Sequence, residues 1–97
     1  MDILHEQRKK KGGFFLKDEE EKLIAELVYS MQGKERMVIE HTEVDDKLQG
    51  KNIGNELVQT AIEFARFHQL KVVPLCSFAK AMINKKPEWK DVLEKVR

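Results

Sequence analysis

Residues 44–54, reading Val-Asp-Asp-Lys-Leu-Gln-Gly-Lys-Asn-Ile-Gly, carry the chain from an apolar strand pattern into an apolar helix pattern through a turn holding glycine and lysine. Upstream, residues 37–44 alternate, with Met37, Ile39, His41 and Glu43 on one face and Val38, Glu40, Thr42 and Val44 on the other. Downstream, Ile53, Leu57, Ala61, Phe64 and Ala65 recur at helical spacing and Val58 and Ile62 widen the stripe, which predicts one amphipathic helix over residues 52–68. A further apolar run, residues 70–74, arrives after that helix and is therefore expected as a strand parallel to the one before it. A helix start exposes backbone N–H groups without partners and the positive end of the macrodipole, so this turn is shaped for an anion. Gly50 and Gly54 lack a Cβ, Asn52 tolerates positive φ, and Lys51 adds positive charge beside the turn.

The first half reads as strands. Residues 3–7 form a short candidate, residues 8–13 a loop whose Gly12-Gly13 suits a hairpin, and residues 14–16 a second strand. Over residues 23–31 the alternation is clear, with Leu23, Ala25, Leu27, Tyr29 and Met31 sharing a face opposite Glu26 and Ser30. Short connections make these strands and residues 37–44 an antiparallel meander. Ser77 can cap a short helix containing Phe78, Met82 and Ile83, which Lys86-Pro87 ends, and residues 87–96 suit a last helix. The expected fold class is mixed α/β, a meander followed by a β-α-β unit and short C-terminal helices. Residues 1–97 show no repeat, low-complexity tract or linker, and 97 residues support one domain with a modest core.

A net charge of +1 argues against a nucleic-acid protein that relies on a global positive field. The tight basic run Arg8-Lys9-Lys10-Lys11 leaves a local nucleic-acid patch as the weakest of three functional readings; the same run could hold a terminal phosphate, an acidic partner or nothing, the last being favoured. Met1 to Glu6 lacks the charged head and apolar stretch of a secretion signal, and no run approaches the roughly 18 apolar residues of a membrane span. A cytosolic protein without membrane or nucleic-acid partners is the expectation. The lone cysteine, Cys76, fits a reducing compartment and remains a free thiol.

Cys76 follows the last strand, at the carboxyl edge of the sheet where open α/β folds place their ligands. On residue chemistry alone it is either an inert buried thiol or a nucleophile, and a nucleophile needs a base, a cation or a helix N-terminus to lower a pKa of about 8.5. His41 and Glu43, on the strand entering the loop, are candidate bases. His5 and His68 have no ligand spacing to acidic residues or to Cys76, and no metal is expected. Trp89 suits either a core anchor or a face for a purine, with core packing favoured.

Gln49-Gly50-Lys51-Asn52-Ile53-Gly54 resembles the acetyl-CoA loop of GCN5-related N-acetyltransferases, Gln/Arg-x-x-Gly-x-Gly/Ala, with Asn52 in place of the central glycine and Asp46 where proline is common. Pro74-Leu75-Cys76-Ser77-Phe78 and Pro87-Glu88-Trp89 add a likeness to a small subfamily having one cysteine near the acetyl group. The resemblance covers almost the whole chain. It implies a minimal fold of that family, acetyl-CoA or coenzyme A as cofactor, and an amine or protein acceptor. Carried onto this chain, it implies cofactor contacts from Thr42, Val44, Gln49, Gly50, Lys51, Asn52, Ile53, Gly54, Asn55, Phe78 and Lys80, with chemistry at Cys76 assisted by His41 or Glu43. Phe78 stands near where many members carry a tyrosine acid, so the resemblance also implies a two-step route through acetyl-Cys76. A module that binds or senses acetyl-CoA without turnover is the alternative.

Overall fold

The helical stripe predicted over residues 52–68 forms α1 (Ile53–Phe67), whose Gly54, Leu57, Val58, Ala61, Ile62 and Ala65 are buried. The computed structural model describes residues 2–48 and 50–93. Ahead of α1 lie β1 (Leu4–Gln7), β2 (Lys11–Lys17), β3 (Leu23–Gln32) and β4 (Arg36–Val44), with a 3-10 turn over Asp46–Leu48; after it come β5 (Lys71–Pro74), α2 (Ser77–Asn84) and a second 3-10 segment over Pro87–Val92. The strands make one five-stranded sheet in chain order. The first three pairs are antiparallel and β4 pairs with β5 in parallel, as a meander joined to a β-α-β unit requires.

Packing follows the alternation. Ala25, Leu27 and Tyr29 of β3 are buried with Phe14 and Leu16 of β2, Met37 and Ile39 of β4, Val72 of β5 and the apolar stripe of α1. The Tyr29 hydroxyl lies 2.7 Å from Nε2 of His5, whose ring stacks on Phe14 at 4.3 Å between centroids.

Gly12 and Gly13 do not form the β1–β2 turn. The chain reverses one step earlier, at Arg8–Lys11, where the Arg8 N–H donates to the Lys11 carbonyl, and both glycines lie inside β2. The reason is steric. A Cβ on Gly12 would collide with the Tyr29 ring and hydroxyl and stand 2.8 Å from the Glu6 carbonyl oxygen, so the strand needs glycine where the tyrosine crosses it. Gly12→Ala is expected to destabilise the fold by about 1–3 kcal/mol. A lowered unfolding midpoint by circular dichroism checks this, and an unchanged midpoint contradicts the seating of Tyr29.

The helix expected over residues 87–96 is instead the 3-10 segment Pro87–Val92, after which Leu93 bridges to Val72; residues 94–97 lie outside the described residues. A 3-10 turn aligns residues three apart, which buries both Trp89 and Val92 against the core. Trp89 is thus a core anchor. Arg66 of α1 ties the segment down through Asp91 Oδ1 at 2.7 Å and the Glu88 carbonyl at 2.8 Å.

Candidate functional site

The turn into α1 is built from two left-handed residues. Gly50 has φ 84° and Asn52 has φ 64°, the second being one of the few non-glycine positions where the backbone takes that hand. Asn52 stands at the N-cap but provides no side-chain cap, so the first-turn N–H groups of Ile53, Gly54 and Asn55 have no capping partner from it. Gln49 lies outside the described residues.

Beside this helix start is a cavity of about 380 Å³. Thr42 and Val44 of β4 form one wall, Asn52, Ile53, Gly54 and Asn55 another, and Phe78 and Met82 of α2 a third, with Gly50 and Leu48 at the loop side. Gly54 is the close approach: a Cβ there would lie 2.7 Å from Cζ of Phe78. Two buried side-chain oxygens in these walls, Thr42 Oγ1 and Asn55 Oδ1, have no hydrogen-bond partner among the described residues. Leaving such an atom unpaired costs about 1–3 kcal/mol, so two in one cavity mark a place that fits a polar ligand. The groups present suit a CoA-type molecule, with N–H groups for an anion, apolar walls, and polar atoms between them.

Cys76 does not itself line this cavity but stands two positions before Phe78, which does. Parallel pairing of β4 with β5 ends at Ile39 and Pro74, while β4 continues as a strand to Val44. The N–H groups of Leu75 and Cys76 both donate to the Ile39 carbonyl, at 3.0 and 3.2 Å, which fixes the half-buried cysteine as N-cap of α2. Burial alone would push its thiol pKa up. The N–H of Ala79, the Thr42 hydroxyl and the N–H groups of Phe78 and Thr42 outweigh that and hold it below the ordinary thiol value. The thiol provides no side-chain cap to α2.

His41 and Glu43 do not share a face with Met37 and Ile39. Glu40 is an extra residue in β4: Tyr29 pairs with Ile39, but Val28 pairs with His41. This bulge reverses the alternation beyond it, as one inserted residue must. Thr42 and Val44 therefore return to the helix side opposite Leu27 and Ala25, while His41 and Glu43 stand on the other side of the sheet opposite Val28 and Glu26. There His41 Nε2 lies 3.6 Å from Glu26 Oε1, and ligating atoms of Glu26, His41 and Glu43 fall within 4.8 Å of one another. Neither candidate base reaches the thiol. We expect His41→Ala to leave Cys76 alkylation unchanged at every pH, measured with iodoacetamide and mass spectrometry; a slowed reaction would return His41 to the site.

Lys51 and Lys80 are exposed and do not form the cavity wall, whereas Leu48 and Met82, absent from the sequence-based site, do. Met82 was legible as the residue one helical turn after Phe78. The basic run is distant from the cavity, because Lys11 pairs with Ser30 near the start of β4 and the cavity lies at its end. Arg8 and Lys11 contact Glu6 at 3.1 Å and Glu40 at 3.8 Å. Tyr29 is also absent from the cavity wall: its side chain is buried in the core and its hydroxyl pairs with His5. No helix among the described residues is long and apolar enough to cross a membrane.

A profile of the GCN5-related N-acetyl-transferase family matches residues 13–92. The fold is similar to the NMR solution structure of a GCN5-like protein from Staphylococcus aureus, with 33% identity and a TM-score of 0.75, covering 99% of this chain and 90% of that one. Among curated proteins, Protein NATD1 of Xenopus tropicalis is 30% identical over 63 residues, which are 65% of this chain and 58% of that protein. Protein NATD1 of Danio rerio is 24% identical over 85 residues, covering 88% of this chain and 76% of that protein.

Proposed function

The chain belongs to the GCN5-related N-acetyltransferase family, and from that premise we propose that it is an acetyl-CoA-dependent N-acetyltransferase carrying acetyl on Cys76 to an amine acceptor. The observation that carries this reading is the pair of unpartnered buried oxygens, Thr42 Oγ1 and Asn55 Oδ1, in the cavity beside the uncapped start of α1. Ile53, Gly54 and Asn55 would hold the diphosphate through backbone N–H groups and the helix dipole. Val44, Phe78 and Met82 would enclose the apolar part of the arm. Lys51 and Lys80, both exposed, are available to the phosphates from the rim. When bound, acetyl-CoA supplies an activated acetyl thioester.

The residues of the chain favour a route through Cys76. Direct attack by an amine needs an acid for the leaving thiolate, and the Tyr29 hydroxyl is engaged in the core. A Cys76 thiolate exchanges one thioester for another of similar energy: its Sγ–carbon bond forms as the donor's carbon–sulfur bond breaks and CoA leaves as thiolate. An amine then attacks acetyl-Cys76, loses its proton to solvent and releases the cysteine thiolate. A cytosolic location, one domain over residues 1–97 and an acceptor presented by a partner protein belong to the same proposal.

The placement of His41 and Glu43 on the opposite sheet face favours a second reading, a module that binds acetyl-CoA without turnover, because neither of them then serves an acceptor amine as base. Intact-mass measurement after incubation with acetyl-CoA separates the two. Gain of one acetyl group at Cys76, followed by its loss when a primary amine is added, supports the enzyme; an adduct that survives every amine tested supports the binding module.

A further inference from the structure

Thr42 reaches the site only because of the bulge at Glu40, which turns it to the helix side opposite Leu27. There its Oγ1 is buried and has no hydrogen-bond partner among the described residues. A hydroxyl shut away from water in this way is disfavoured until an acceptor appears. Across the opening between β4 and β5, the Ile39 carbonyl accepts from both Leu75 and Cys76 and so fixes the backbone that carries the thiol. A neutral thiol is a weak acceptor, and a thiolate is a strong one.

We propose that Thr42 is a positioning residue for Cys76, its hydroxyl donating to the thiolate sulfur and holding it toward the cavity. The proposal rests on the reading of Cys76 as the acetyl carrier. Thr42 keeps its own proton throughout, and the thiol proton leaves to solvent. Among the described residues, the hydroxyl is the one side chain that favours the ionised cysteine; the other favourable contributions come from backbone N–H groups of Ala79, Phe78 and Thr42. Among the described residues, no charged side chain contributes to it. On β4, His41 and Glu43 face the other side of the sheet, on α2 Lys80 is exposed, and the α1 residue in the cavity wall nearest its start that carries a polar side chain is the uncharged Asn55. Hydrogen bonding therefore does here what a histidine or lysine does at many reactive cysteines.

The test is the pH dependence of Cys76 alkylation by iodoacetamide, which needs no CoA. For Thr42→Val the midpoint should move upward by about one pH unit, making alkylation roughly tenfold slower below the midpoint, and Thr42→Ser should restore the original profile. An unmoved midpoint in a folded Thr42→Val protein overturns the proposal. Should that variant fail to fold, the unaltered protein decides: the Thr42 Cβ resonance should titrate with the midpoint of the Cys76 Cβ, and a Thr42 signal flat through that midpoint overturns the proposal. Acetylation of Cys76 by acetyl-CoA, run alongside, keeps the two readings apart. An unmoved alkylation midpoint with acetylation intact removes Thr42's role alone, whereas a shifted midpoint with no CoA binding removes the proposed function and leaves the Thr42–thiolate bond standing.

Discussion

Gly54→Val is expected to lower CoA affinity by more than about tenfold, a loss of roughly 1.4 kcal/mol or more. Its β-carbon would meet the Phe78 ring at 2.7 Å, and the two methyl groups beyond it would crowd the start of α1, the proposed diphosphate site. Because Gly54 is buried, the substitution also overpacks the helix against Phe78 and should cost about 1–3 kcal/mol of stability. The two effects are separable. Combining Gly54→Val with Phe78→Ala makes room for the added methyls and should recover part of the stability. Asn52→Gly is the matching control: Asn52 already adopts φ 64°, so glycine fits without strain and CoA affinity should be kept or improved. Isothermal titration of the variants with CoA, paired with thermal unfolding, checks both expectations, and normal binding by a folded Gly54→Val protein would mean that the diphosphate lies elsewhere.

Cys76→Ser has the largest expected effect on chemistry. A serine hydroxyl does not ionise near neutral pH, so the N–H groups and Thr42 hydroxyl that favour a thiolate have no anion to favour. Acetyl capture at this position should disappear, and transfer to an amine should fall on the order of 10²-fold or more. CoA affinity should stay within about twofold, because the proposed diphosphate contacts come from the start of α1 rather than from this residue. In the unaltered protein the sign of the pH dependence follows from the lowered thiol pKa: capture should be fast above that pKa, slow as pH falls through it, and keep its rate at a lower pH than a free cysteine with pKa about 8.5 would. Stopped-time mass spectrometry across pH measures this. A serine variant with full transfer would remove the covalent route and leave direct attack by the amine.

Most of the architecture is written in local pattern. The alternation of Ala25, Leu27 and Tyr29, the helical stripe from Ile53 to Ala65, and the short connections are enough for a meander followed by a parallel strand, because each pattern has one cheap way to bury its apolar side. The left-handed Asn52 was also legible, since few other residues accept that conformation. What escaped depends on partners distant in sequence. Gly12 looks like a turn glycine until Tyr29, from another strand, is seen to occupy the space beside it. The bulge at Glu40 escaped strict alternation, although a charged residue directly after the buried run Met37-Val38-Ile39 is the kind of interruption that an inserted residue leaves. Its consequence was large: it exchanged which side chains of β4 face the cavity, bringing in Thr42 and Val44 and turning away His41 and Glu43. The 3-10 segment Pro87–Val92 was likewise set by contacts, since Arg66 and the burial of Trp89 with Val92 decide its pitch.

The central claim, that the cavity beside the start of α1 holds coenzyme A, is tested most directly by titrating CoA and acetyl-CoA into nitrogen-labelled protein and following the backbone amides. Saturable shifts should appear at Gly50 to Asn55 and at Thr42, Val44 and Phe78, the amides of Arg8 to Lys11 should remain still, and ligand at 100 times its dissociation constant should stabilise the fold by about 2.7 kcal/mol. Spectra unchanged at millimolar ligand, or shifts confined to Arg8 to Lys11, would contradict it.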